Sequence, residues 1–132
     1  MKAKKFSKPS KSKDYKSLVR NSHEHKLLAL KVVKQVERVL PIFEKEYPKD
    51  KHPRKAIELL RAWAQGKMEL GMPSVRKLSL DSHASARKSK SDFAKFIARS
   101  AGQAVAVWHV PNHVLGVQYY LGKLKIAEKI KK

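Results

Sequence analysis

The chain contains no cysteine. That excludes disulfides, thiol nucleophiles and every zinc site built on cysteine. Acidic side chains are also scarce, eleven against thirty-one Lys and Arg. None of them clusters in the way a two-metal nuclease requires. Glycine is rare at five residues, and neither a G-x-x-x-x-G-K-[ST] nor a G-x-G-x-x-G loop occurs, so the usual phosphate cradles are missing. No apolar run approaches the roughly 18 residues a membrane span needs. The basic start has no apolar segment behind it, which is not the pattern of a secretory signal. These features together suggest a cytoplasmic protein without a membrane span.

What is present is charge. Across 132 residues the formal net charge is +20. Residues 1–20 carry eight basic residues and one acidic, which leaves +13 for the remainder. A field of this sign attracts polyanions or acidic proteins, and non-specific, salt-sensitive adhesion to nucleic acid follows from it directly. The first 21 residues are rich in Lys and Ser with few apolar positions. They cannot bury enough surface to offset ordering, and they read as a flexible basic leader. Residues 22–132 then form one domain.

That domain reads as all-α, a compact bundle of about five helices with short loops and a kinked first helix. Ser22 is an N-cap candidate, and Ala29, Val33, Val36, Leu40, Phe43 and Tyr47 form one apolar stripe at helical spacing. Pro41 interrupts that stripe without shifting its register, so a kink or short break is expected there. A second helix over 53–65 buries Ala56, Ile57, Leu60, Trp63 and Ala64, pairs Glu58 with Arg61 on its outer face, and ends at Gly66. A third spans about 73–88, although Ser79, Ser82 and Ser85 compete with its backbone bonds. A fourth starts at Ser91 or Asp92 and ends near Trp108–Val110. Its second face, Ala94, Ala98 and Gly102, permits close approach of a neighbour. Pro111 then opens a fifth helix that runs to about 129.

His109 and His113 are the closest thing to a chemical motif. Four residues apart on a straight helix, they would share a face at a metal-binding spacing. A zinc protease, however, needs Glu directly after the first His, and Val110 stands there. A catalytic zinc also needs a third ligand, for which His83 is the nearest candidate, and Pro111 lies between the pair. Three roles therefore stay open: a metal site, histidines packed at a helix junction, or part of a binding surface. No metal or cofactor is expected. His23, His25 and His52 read as solvated. Ser79, Asp81, Ser82 and His83 crowd one helix and cannot converge as a hydrolytic triad. Trp63 and Trp108 lie on apolar stripes and read as core.

Two stretches carry a family resemblance. Residues 39–66 contain Asp50, Pro53, Arg54, Ala56, Ile57, Trp63 and Gly66 in a D-x-x-PR-x-AI turn-and-helix pattern. Residues 98–120 contain Ala101, Gly102, Gln103 and Ala104, followed by His109, Pro111 and His113. Together they resemble the small helical putative immunity proteins of bacterial polymorphic-toxin systems. The resemblance implies a module that binds a cognate toxin and blocks it without chemistry of its own. The residues expected at its partner-binding or motif surface are Arg54, Trp63, His83, Gln103, His109 and His113. Inhibitors of basic nuclease toxins are expected to be acidic. A +20 inhibitor instead suits an acidic toxin surface, or docks through an apolar patch. A nucleic-acid-associated helical protein is the alternative reading, and a small metal-dependent enzyme centred on His109 and His113 a second.

Overall fold

Helix signals and helix breakers alternate along this chain, and the architecture follows them. The computed structural model describes residues 15 and 17–131, and among them every regular element is helical. The expected leader falls largely outside the described residues. Helix α1 (His23–Glu37) starts where the Ser22 hydroxyl accepts the His25 backbone N–H at 3.1 Å, and Glu24 faces the positive end of its dipole.

The expected single helix over 22–47 is two helices, which makes six α-helices among the described residues rather than about five. Pro41 has no N–H to give the Glu37 carbonyl four residues back, so α1 ends there. The turn at Arg38–Val39 is closed by bonds from Val39 N–H to the Val36 carbonyl and from Ile42 N–H to that of Val39, each 3.0 Å. Helix α2 (Leu40–Glu46) follows. The apolar stripe runs through the break in register, with Ala29, Val33, Val36, Leu40 and Phe43 all buried.

Helix α3 (His52–Ala64) ends in a paired C-terminal cap. Gly66 N–H bonds the Trp63 carbonyl at 3.0 Å and Lys67 N–H that of Ala62 at 2.8 Å. The geometry requires Gly66 at φ +77°, the left-handed region glycine tolerates. Arg61 pairs with Glu37 of α1, not with Glu58 along its own helix. The tertiary partner draws it across the α1–α3 contact.

Helix α4 (Met72–Lys88) survives its serines because two of them bond outward. Ser82 donates to the Ala98 carbonyl at 2.7 Å and Ser79 to that of Gly102 at 3.0 Å. Both acceptors lie on helix α5 (Asp92–Ala106), which is capped by Ser91. Ala94, Ala98, Ala101 and Gly102 are buried along α5, and the two helices approach closely, as the small residues suggest. Helix α5 is central and packs against every other element.

Helix α5 stops at Ala106, two to four residues before the expected end. Pro111 has no N–H for the Val107 carbonyl, and the chain tightens into i→i+3 bonds from Val107 to His109. The orphaned Val107 carbonyl accepts from His25 Nε2 at 2.8 Å. His25 therefore does not read as solvated. It is fully buried, and its Nδ1 accepts the Asn21 backbone N–H at 2.9 Å. Its ring also lies edge-on to Trp63, with centroids 5.0 Å apart. Val110 is extended, as a residue before proline should be. A 3-10 turn at Pro111–His113 leads into helix α6 (Val114–Lys131), where Val114, Val117 and Leu124 are buried.

Replacing Gly66 by Ala should lower stability by about 1 kcal/mol in urea unfolding. An added Cβ would meet nothing within 4 Å, so the loss would be the left-handed backbone cost alone.

Candidate functional site

Three of the six expected site residues, His83, Gln103 and His113, meet in a polar cluster where α4, α5 and the start of α6 converge. Two i, i+4 pairs create it. Ser79 and His83 share one face of α4, and Arg99 and Gln103 share one face of α5. The Arg99 guanidinium donates to His83 Nδ1 at 3.0 Å. Arginine only donates, so that nitrogen carries no proton. The His83 ring packs against α5 because residue 102 is glycine: a Cβ there would sit 2.6 Å from Nε2. One helical position on, Gln103 Oε1 accepts from His113 Nδ1 at 2.9 Å. A second glycine makes room for that amide, since a Cβ at Gly116 would sit 2.5 Å from Gln103 Oε1.

Both rings are held neutral. Burial, then the positive Arg99, then Arg87 and His113, push His83 down to about 4. Burial also lowers His113, with a smaller contribution from His109. A catalytic base of the triad kind has a carboxylate behind it to stabilise the imidazolium. Behind these two rings stand a guanidinium and an amide, neither of which carries the negative charge that would hold an imidazolium. The cluster is built to bind groups to one another and to fix three helices.

The other three residues lie elsewhere. Arg54 forms a bidentate pair with Glu44 of α2, 2.7 Å from Nε and 2.6 Å from Nη2, and this bond holds the Glu44 carboxyl below its usual range. Trp63 is buried against His25. His109 is exposed in the turn after α5 and tilted against Trp108. The straight-helix geometry for His109 and His113 is not made, because a turn and a 3-10 segment separate them. Among the described residues no group of three or more His, Cys, Asp or Glu could hold a metal ion, and the candidate third ligand His83 is bonded to Arg99 through Nδ1. Arg99, Gly116 and buried His25 are the residues that sequence reasoning missed. The i, i+4 spacing of Arg99 and Gln103 was the one available signal.

A small all-α domain whose polar cluster ties helices together is the class the fold defines. The model of the Imm-5 like putative immunity protein family matches residues 18–131. The chain belongs to this family, as the two motif stretches imply. No curated protein and no solved structure matches it. No helix among the described residues is long and apolar enough to cross a membrane.

Gly102→Ala should destabilise the wild-type protein by about 1–2 kcal/mol through overpacking. In a His83→Ala background the same change should be neutral or stabilising, because only the helix-propensity gain remains. A double-mutant cycle in urea reads the reversal of sign. The lowered histidines also set a pH dependence. Between the ordinary 6.5 of histidine and the value of about 4 that folded His83 takes, the unfolded chain binds a proton that folded His83 refuses, so stability falls as pH drops through this window. Unfolding midpoints at pH 7 and pH 4.5 should differ, and His83→Gln should narrow the difference.

Proposed function

We propose that this protein is a non-enzymatic immunity protein, a cytoplasmic module that neutralises a cognate bacterial toxin by binding it. Family membership over residues 18–131 carries the reading. The chemistry of the polar cluster agrees with it: two neutral imidazoles are engaged by Arg99 and Gln103, a guanidinium and an amide rather than a carboxylate. The charge also bears on the partner. At +20 the chain is steered toward an acidic surface, with association that slows as salt screens the field.

The same charge favours a second reading, association with nucleic acid. The two separate by specificity. A nucleic-acid function requires binding to duplex DNA that exceeds a charge-matched polylysine and prefers one sequence or shape, whereas bare electrostatics gives neither.

Co-expression with the toxin domain encoded beside its gene should restore growth, and the two proteins should co-elute as a complex. Failure to protect against, or to bind, any neighbouring toxin would overturn the proposal.

A further inference from the structure

Helix α6 is apolar on two opposite faces, and the core uses one of them. Val117, Leu121 and Leu124 face inward, while Tyr120 stacks on Phe96 of α5. On the far side stand Leu115, Tyr119 and Ile126, exposed by 43%, 56% and 60%. With Gly122 they follow spacings of 4, 3 and 4, and at about 3.6 residues per turn they fall within an arc of roughly 60°. Surface helices carry polar residues on that side.

Gly122 points to the same face. The other glycine of this helix, Gly116, is required by the Gln103 amide. Gly122 is not: a Cβ there would meet nothing within 4 Å, and it has no positive φ. Glycine inside a helix is less stable than alanine, so the folded monomer gains nothing from it. What a bare helix surface does supply is close approach by another chain. Gly122 also borders a groove of about 390 Å3 between the end of α1 and α6, lined by Gln35, Arg38, Val39, Gln118 and Leu121. The rim is basic. Lys123 lies 5.3 Å from the centre of the Tyr119 ring, and Arg38 and Lys125 are exposed.

We infer that the outer face of α6, centred on Gly122 and Tyr119, is the docking surface, and that its occupant is a protein with an apolar centre and an acidic rim. A second copy of a +20 chain is opposed by like charge, which favours an acidic partner over self-association. This inference rests on the immunity reading, and the occupant is then the toxin.

The test uses the full chain and the purified toxin domain encoded by the adjacent gene. Gly122→Ala should raise the unfolding midpoint yet weaken toxin binding about tenfold, a combination that a structural role would not produce. Tyr119→Asp should weaken binding about a hundredfold with the midpoint unchanged. Leu80→Ser, which alters an exposed apolar residue on α4, should change neither. If the wild type binds and protects while both α6 variants bind equally well, the docking face is wrong and the immunity reading stands. If the wild type neither binds nor protects, both fail. A wild-type dimer in sedimentation that Gly122→Ala dissolves would also overturn the inference, in favour of a second copy on this face.

Discussion

The structure depends on how closely α4 can approach α5. Glycine and alanine along one side of α5 bring the helix backbones near enough for Ser79 and Ser82 to reach the carbonyls of Gly102 and Ala98. Those bonds relieve α4 of serines that would otherwise compete with its own backbone. The same approach lays the His83 ring on Gly102 and brings Nδ1 to Arg99. On the next face of α5, Gln103 reaches His113 across the space that Gly116 leaves. A larger residue at 102 would strike the His83 ring and displace it from Arg99.

Two prolines divide the remaining work. Each removes an N–H and so leaves the carbonyl four residues earlier without its helical donor. At Pro41 the chain absorbs the loss in a turn and resumes in register. At Pro111 the freed Val107 carbonyl is met by His25 from the first helix. A buried imidazole can do this because its other nitrogen is satisfied by the Asn21 N–H. The break that ends α5 thus becomes the bond that ties α1 to it, and Trp63 packs against the same ring.

Charge is distributed differently from structure. Glu37 and Glu44 are paired with arginines of α3, and Asp81 with Lys77 along α4. With these carboxylates engaged, the surplus of lysine is left to act on whatever approaches the surface. A neutral, internally bonded histidine cluster and a basic, partly apolar exterior suit a protein that acts through its surface.

Much of this was legible in the order of residues. Helical spacing, the caps at Ser22 and Ser91, the stop at Gly66 and the small-residue face of α5 each depend on neighbours within one or two turns. Local periodicity and backbone sterics settle such features before any tertiary contact forms. The motif stretches also carried the family. Only the tertiary structure decided which polar groups meet. Arg61 left Glu58 for Glu37, His25 left solvent for the Val107 carbonyl, and His113 chose Gln103 rather than sharing a helix face with His109. These pairings join residues up to 82 positions apart. No local pattern encodes them, because a side chain's partner depends on which helix faces pack together, and that is set by burial across the whole domain.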